Sequence, residues 1–131
     1  MKNYLGQIAL VVKDYDQAIN YYTEVLGFQL LEDTPLSSTK RWVVIAPEGS
    51  NHQGCKLLLA KATNDSQFAS IGNQTGGRVF LFLYTTDLDQ FYTKLLEHSV
   101  EIVNEPRQEV YGKVLVFKDL YGNLWDLIQP H

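Results

Sequence analysis

The chain has 131 residues, 45% apolar, 20% charged and 12% aromatic, which is an ordinary composition for one globular domain or for two small halves that share a core. Its 15 acidic and 11 basic residues give a net charge of −4, which provides no electrostatic attraction for nucleic acid. We therefore expect no nucleic-acid partner. No apolar run is long enough to span a bilayer, so we expect no membrane partner either.

The cysteine content and the first residues bear on the cellular compartment. The single cysteine, Cys55, excludes an internal disulfide and is typical of a reducing compartment, and we expect it to be a small buried side chain. The apolar run at residues 8–12 meets Lys13 and Asp14 at once and has no small-residue cleavage site after it. It therefore predicts a first strand rather than a signal peptide, and we expect a cytoplasmic location.

The first half of the chain predicts one helix and four strands. Asp14 is expected to cap the helix with Gln17 as its capping-box partner, and Gly27 is expected to end it. The predicted apolar face of this helix consists of Ala18, Ile19, Tyr22, Val25 and Leu26. The predicted strands cover residues 5–12, 28–31, 41–46 and 55–60, with a turn across residues 47–54.

A polar segment at residues 63–76, rich in Asn, Ser and Gly, predicts a linker, and the same order of elements starts again after it. Asp14, Asp16 and Gln17 recur 73 residues later as Asp87, Asp89 and Gln90. The second helix is expected to bury Leu88, Phe91, Tyr92, Leu95 and Leu96. The predicted strands of this half cover residues 79–84, 100–103, 113–118 and 123–129.

The predicted fold class is α+β, with a single domain over residues 1–131 that contains two βαβββ modules. Module one covers residues 1–62 and module two residues 77–131. Neither module has enough apolar surface to be stable alone, so the two are expected to bury a shared face. Two curved mixed sheets side by side would leave a concave trough, where we expect a ligand.

Residues 117–129, FKDLYGNLWDLIQ, predict two strands joined by a tight turn. Gly122 and Asn123 favour a hairpin because both residue types tolerate a positive φ. Asp126 is the one acid in the returning apolar strand, and charged groups are rarely buried without a partner. A partly desolvated Asp126 would have a raised pKa and could act as a general base. Alternatively, it faces a polar neighbour or solvent and only closes the sheet.

Two segments resemble the vicinal oxygen chelate superfamily, which includes glyoxalase I, extradiol dioxygenases, and bleomycin- and fosfomycin-resistance proteins. They are QIALVVKDYDQAINYYTEVLGFQLL at residues 7–31 and FKDLYGNLWDLIQ at residues 117–129. The resemblance extends over the whole chain through the paired modules, and it implies a mixed sheet curved around a trough. It leaves the chemistry open, because this superfamily hosts several unrelated reactions.

The resemblance also implies where a metal would bind. Metal enzymes of the family use one position on the first strand and one on the last strand of each module, and here these positions hold Gln7, Leu58, Phe80 and Asp126. Only Gln7 and Asp126 can donate oxygen, whereas transition-metal and zinc sites need at least three protein ligands. No metal cofactor is therefore expected; any metal that does bind would use these two residues. The histidines, His52, His98 and His131, have no ligand-like spacing.

Apolar and aromatic side chains dominate the predicted lining of the trough. Phe80, Phe82 and Tyr84 alternate along one strand and are expected to share a sheet face. The candidate ligand-binding residues are Gln7, Trp42, Leu58, Phe80, Phe82, Tyr84, Trp125 and Asp126, with Ala60, Leu124 and Ile128 beside them. Core packing is the alternative explanation for the aromatic residues. Basic residues at strand ends, Arg41, Lys56 and Arg78, either contact an anionic ligand group or are simply solvated.

Three functional hypotheses follow. The first is a metal-free, cytoplasmic protein that binds a small, partly apolar molecule in its trough, as drug-resistance members do, and that is a homodimer by resemblance. The second is a divalent-metal-dependent lyase or dioxygenase of the glyoxalase type, with a rearranged site in which Asp126 is a ligand or the catalytic base. The third is an interaction module whose trough is filled by side chains.

Overall fold

A computed structural model describes residues 1–50 and 54–131, and the chain divides into two compact units, Met1–Ser70 and Ile71–His131. Each unit is built on one four-stranded sheet and is described by itself. His52 and part of the turn predicted at residues 47–54 lie outside the described residues.

The first unit contains the strands β1 (Gln7–Val12), β2 (Gln29–Pro35), β3 (Arg41–Ala46) and β4 (Lys56–Lys61), and the helices α1 (Tyr15–Asn20) and α2 (Asp65–Ser70). The strand order across the sheet is β1-β4-β3-β2. β1 pairs parallel with β4, and β3 pairs antiparallel with both β4 and β2. A parallel pair needs a long crossover connection, which the segment from α1 to β3 supplies.

The second unit repeats this arrangement. It contains β5 (Val79–Tyr84), α3 (Leu88–Glu97), β6 (Ile102–Glu109), β7 (Gly112–Lys118) and β8 (Leu124–Gln129). The strand order is β5-β8-β7-β6, again with one parallel pair next to two antiparallel pairs. The internal repeat and the α+β fold class predicted from the sequence are confirmed.

The predicted helix caps are present in both units. The Asp14 carboxylate accepts a hydrogen bond from the Gln17 amide at 2.8 Å, and the Asp87 carboxylate accepts one from the Gln90 amide at 3.0 Å. These bonds satisfy backbone donors that the first turn of a helix leaves free. Gly27 has a φ of 74°, as expected of a glycine that ends a helix.

The first helix is less regular than predicted. After α1 it continues as a π-helical segment, Tyr21–Val25, in which the Leu26 amide donates to the Tyr21 carbonyl at 3.3 Å. The Thr23 hydroxyl bonds to the Ile19 carbonyl at 2.8 Å and so competes for an acceptor that a regular α-helix would use. The apolar face is still turned inward, with Ala18 and Tyr22 fully buried.

Each unit has its own interior between helix and sheet. In the first unit the fully buried side chains include Leu10, Val12, Ala18, Tyr22, Val43 and Ile45. In the second they include Leu88, Leu95, Val114, Leu115, Phe117 and Leu127. The buried face of α3 is narrower than predicted, because Leu96 is 51% exposed. No helix in the described part of the chain is both long enough and apolar enough to cross a bilayer.

Two strands are longer than predicted. β2 continues past Leu31 to Pro35, and β6 continues past Val103 to Glu109. Both are edge strands, so their side chains can stay polar and give no apolar signal in the sequence. Pro106 lies at a register irregularity of β6, where an edge strand tolerates a residue without a backbone N–H.

The segment predicted as a linker contains helix α2, which the sequence analysis did not predict. Asn64 caps this helix by accepting a hydrogen bond from the Gln67 amide at 2.9 Å. The division between the two units falls after Ser70, inside the same segment. The helix has no buried residue, so apolar periodicity was absent from its sequence.

Asp119, rather than a Gly-Asn pair, organises the turn between β7 and β8. Gly122 has a φ of 104°, as predicted, but Asn123 is not among the described residues with positive φ. One oxygen of the buried Asp119 carboxylate accepts from the amides of Tyr121, Gly122 and Asn123, at 2.9–3.1 Å. The other accepts from the side chains of Asn123 and Trp125, at 3.1 and 3.0 Å.

The prediction for Cys55 is wrong. β4 begins at Lys56, so Cys55 lies just before the strand and its thiol is exposed rather than packed in the core.

Candidate ligand-binding site

An open cleft of about 660 Å³ lies in the first unit. Its apolar wall is formed by Val11, Trp42, Leu58 and Ala60, from three neighbouring strands of the sheet. The lining also includes Leu59. Its polar residues come from α1, the β2–β3 turn, the start of β3, the end of β4, and α2 with the segment before it: Tyr15, Ser37, Thr39, Lys40, Arg41, Lys61, Thr63 and Gln67. Its volume is in the range of small-molecule sites.

Strand pairing explains why the apolar wall is continuous. Val11 pairs with Ala60, and Leu58 pairs with Val44 of the next strand. Because alternate residues of a strand face the same side, Leu58 and Ala60 lie together, as predicted. Trp42 lines the cleft and is 36% exposed.

The β2–β3 turn forms one polar edge of the cleft. The Ser37 hydroxyl accepts hydrogen bonds from the amides of Thr39 and Lys40 at 3.2 and 3.0 Å. The Lys40 carbonyl in turn accepts from the amides of Leu36 and Ser37 at 2.8 and 3.2 Å. These bonds fix the backbone of the turn, so the position of Lys40 beside the cleft is set by the fold.

Arg41 is tied to carboxylates of its own unit. Its Nε and Nη2 donate to the two oxygens of Asp33 at 3.0 and 2.6 Å, and its Nη1 donates to Asp16 at 2.9 Å. Hydrogen bonding to Arg41 lowers the pKa of the Asp33 carboxyl, and the two carboxylates raise the pKa of Arg41. Its charge is therefore compensated. Of the other two basic residues considered, Lys56 is half-buried and Arg78 is exposed, and neither lines this cleft.

The second unit presents a different set of candidate residues on one sheet face. Phe82 pairs with Asp126, and Tyr84 pairs with Ile128. Phe82 and Tyr84 are 58% and 65% exposed, so their rings are not part of the packed interior. Phe80 is half-buried and lies at a register irregularity between Val79 and Leu81, which the simple alternation argument did not anticipate.

Asp126 is half-buried in this face between Phe82 and Val116 of the neighbouring strands. Burial raises the pKa of its carboxyl, and the positive charge of Arg107 partly opposes the shift. The direction agrees with the expectation for an acid on an apolar strand. Arg107 lies in the part of β6 that follows Val103, for which no strand was predicted.

Trp125 lies in the interior of the second unit. Its side chain is 2% exposed, its ring stacks on Phe117 with centroids 6.0 Å apart, and its indole N–H donates to Asp119. Strand alternation places it on the opposite face of β8 from Asp126. Packing and a buried hydrogen bond account for its position, and its contact with a ligand stays a prediction.

The family model of the Glyoxalase/Bleomycin resistance protein/Dioxygenase superfamily matches residues 4–127. The chain belongs to this superfamily. An uncharacterized protein of Shewanella frigidimarina (strain NCIMB 400) is 52% identical over 130 residues, which are 98% of this chain and 95% of the relative.

Solved structures of other proteins resemble the chain along almost its whole length. TnmS3, an antibiotic binding protein from Streptomyces sp. CB03234, has a TM-score of 0.78 and 28% identity, with 99% of this chain and 98% of TnmS3 covered. The fosfomycin resistance protein FosX from Listeria monocytogenes has a TM-score of 0.71 and 15% identity, with 100% of this chain and 96% of FosX covered. The second similarity concerns the fold alone.

The metal positions of the superfamily do not carry a metal-binding donor set here. Leu58 and Phe80 have no donor atom, and the remaining two, Gln7 and Asp126, lie on strands of different units. In residues 1–50 and 54–131, no three His, Cys, Asp or Glu side chains come together as a metal-binding group. His98 and His131 each bond a backbone carbonyl. The residues present therefore do not fit a transition metal or zinc.

Proposed function

We propose that this protein binds a small, partly apolar molecule and holds it without chemical change. The observation that carries the proposal is the cleft of the first unit, with an apolar wall of Trp42, Leu58 and Ala60 and a polar edge of hydrogen-bonding side chains. Sequestration needs only shape, apolar contact and a few polar anchors. The similarity to TnmS3, described as antibiotic binding, supports this class of function.

Contact with the apolar wall contributes to affinity. Covering about 100 Å² of apolar ligand surface contributes roughly 2.5 kcal/mol, part of which offsets the entropy lost on association. Hydrogen bonds at the edge then decide which molecule of suitable shape is retained.

A substitution that fills the cleft with a larger side chain tests the proposal. In Ala60→Phe the new ring occupies the space beside Leu58, and the matched control Ala69→Phe places the same ring on an exposed position of α2 that does not line the cleft. Isothermal calorimetry with a panel of planar aromatic compounds, antibiotics included, should find binding to the wild type. Ala60→Phe should weaken it at least tenfold, and Ala69→Phe less than twofold. Wild-type affinity in Ala60→Phe would contradict the proposal.

The second candidate function is a metal-dependent lyase or dioxygenase of the glyoxalase type with a rearranged site, in which Asp126 would need ligands beyond the four superfamily positions. The raised pKa of Asp126 favours it, because a carboxylate that is costly to ionise is suited to proton transfer. The protein purified from cells grown with Mn, Fe, Ni and Zn would then contain stoichiometric metal, and Asp126→Ala would lose it. If the purified protein contains no metal and binds a ligand in the cleft, sequestration is the function that remains.

We further propose a cytoplasmic homodimer. An exposed thiol at Cys55 is compatible with a reducing compartment, and the superfamily resemblance supports the dimer. Light scattering of the purified protein at micromolar concentration tests the oligomeric state, since a monomer mass would contradict it.

A further inference from the structure

We propose that the ligand of the first-unit cleft is an organic anion, an apolar body that carries a carboxylate. This inference rests on the proposed binding function and names its ligand class. The charged residues of the lining are Lys40, Arg41 and Lys61, and no acidic residue among those that the structure describes lines the cleft. This is notable in a chain with 15 acidic and 11 basic residues, because the local charge has the opposite sign to the net charge.

The charges of the two lysines are not compensated. Arg41 is paired with Asp16 and Asp33, but none of the ion pairs found among residues 1–50 and 54–131 includes Lys40 or Lys61. A lysine ammonium presents three donors and no acceptor. The lining of the cleft therefore includes two lysines, Lys40 and Lys61, for which the described part of the chain shows no ion pair.

Two neutral side chains of the lining, Tyr15 and Gln67, also keep a donor, whereas the Thr63 hydroxyl gives its proton to Gln67 and keeps acceptors. The Tyr15 hydroxyl oxygen accepts a hydrogen bond from the Arg41 amide at 3.2 Å, which leaves its own proton for another acceptor. The Gln67 side-chain oxygen accepts from the amide and the hydroxyl of Thr63 at 2.8 and 3.0 Å. Because the Thr63 amide can only donate, the Gln67 atom facing it must be oxygen, and the amide NH₂ group is the part left over.

A molecule that satisfies this set of donors must supply acceptors. A carboxylate supplies two oxygens with several lone pairs, and hydrogen bonds to a charged group are stronger than neutral ones. A cationic ligand would be repelled by both lysines. Trp42 and Leu58 at the apolar wall favour a ring or an alicyclic body next to the acid group.

A pair of probes that differ only in charge tests the inference. Calorimetry at pH 7 compares 2-naphthoate with the neutral 2-naphthamide, which has the same ring and nearly the same size. The wild type should bind naphthoate about tenfold more tightly, and this preference should shrink when NaCl is raised from about 50 to about 500 mM. Lys61→Gln and Lys40→Gln should each reduce affinity for naphthoate roughly three- to tenfold and leave naphthamide unchanged.

Controls separate local charge from net charge and from folding. Lys13→Gln removes the same charge from an exposed position of the same unit outside the cleft lining, and should leave the preference intact. Lys61→Arg keeps the charge and should keep most of the preference. All variants should melt within a few degrees of the wild type.

The outcomes distinguish this inference from the function on which it rests. Equal binding of the two probes, or a preference that Lys13→Gln reduces as much as Lys61→Gln, overturns the anion selectivity while the cleft remains a binding site. No binding of either probe to the wild type at millimolar concentration overturns both.

Discussion

Asp119 shows how one buried side chain determines a local structure. Its carboxylate accepts hydrogen bonds from three backbone amides of the β7–β8 turn and from the side chains of Asn123 and Trp125. Carboxylates that fold back on the following backbone amides are typical of turns. Here the turn is also bonded to the interior, because Trp125 is buried.

Asp119→Ala should therefore be strongly destabilising. The substitution leaves several donors buried without a partner, and we expect a loss of about 3 kcal/mol in the free energy of unfolding. Urea denaturation measures the change. Asp65→Ala, at an exposed position of α2, should cost less than about 0.5 kcal/mol. A similar small cost for Asp119→Ala would show that water replaces the carboxylate.

Asp126 and Asp33 should respond to pH in opposite directions. Burial raises the pKa of Asp126 above its ordinary 3.8, so its stabilising contribution is present below that value and is lost as pH rises through the folded pKa. Arg41 lowers the pKa of Asp33, so its contribution is present above the ordinary value and is lost as pH falls through the folded pKa.

Asparagine substitutions make this difference measurable. Relative to wild type, Asp126→Asn should raise the melting temperature at pH 7, and Asp33→Asn should lower it. The Asp126→Asn difference should shrink as the pH falls through the raised folded pKa of Asp126, and the Asp33→Asn difference only at lower pH, as Asp33 passes its lowered folded pKa. If Asp126→Asn destabilises at pH 7, the carboxylate is stabilised by its surroundings rather than penalised by burial.

At the same scale, some residues were predictable and others were not. The setting of Asp126 follows from strand alternation and the apolar character of its neighbours, which are local signals. The charge of Arg107 acts on it from β6, and the position of that strand depends on a pairing between distant segments. The exposure of Cys55 also depends on where β4 begins, one residue later than predicted.

Among the elements, those with clear periodicity were predictable in both position and length. β3 and β5 have the predicted bounds, because both carry continuous apolar residues. β2, β6 and α2 were short or absent in the prediction because their exposed residues are polar or irregular. Their structure comes from pairing with a neighbouring strand or from a cap, which sequence periodicity does not report.

The segment after α2 is fixed by a close approach to the β7–β8 turn within the second unit. Gly72 has a φ of 72°, and a Cβ added there would lie 1.8 Å from the Tyr121 carbonyl oxygen. Gly76 has a similar φ of 68°, but a Cβ there would meet nothing within 4 Å. Alanine substitutions at the two glycines therefore separate the free-energy cost of a strained φ from the cost of steric overlap between the new Cβ and the backbone.

Gly76→Ala should cost about 1 kcal/mol of unfolding free energy, from positive φ alone. Gly72→Ala should cost at least about 2 kcal/mol more, because a backbone oxygen must move. Equilibrium denaturation of the two variants gives the comparison. Equal costs would mean that this segment shifts freely away from Tyr121.

For the molecule as a whole, the repeat was the most informative sequence signal. The recurrence of Asp14, Asp16 and Gln17 at Asp87, Asp89 and Gln90 marks the same capped helix in each unit. It extends to ion pairs, since Asp16 bonds Arg41 and Asp89 bonds Lys113 near the start of the equivalent strands. The cleft of the first unit was not predictable as a whole, because its lining combines three strands, a turn and an unpredicted helix.

Metal ions should have little effect on the stability of the molecule. Only a ligand that binds the folded state raises the melting temperature, and the superfamily metal positions here supply two oxygen donors at most. We expect melting curves with Zn²⁺, Mn²⁺, Ni²⁺ or Fe²⁺ to agree within about a degree with curves in EDTA. A rise of several degrees with one metal, lost in Asp126→Ala, would favour the enzyme hypothesis.

The positions of the two tryptophans give the chain a built-in optical probe for each unit. Trp42 is partly exposed in the first unit, and Trp125 is buried in the second. Their fluorescence emission maxima should therefore differ, with that of Trp42 at the longer wavelength. Unfolding followed at the two wavelengths, without any dye or label, therefore tells whether the two halves of this repeat lose their structure at one denaturant concentration or at two.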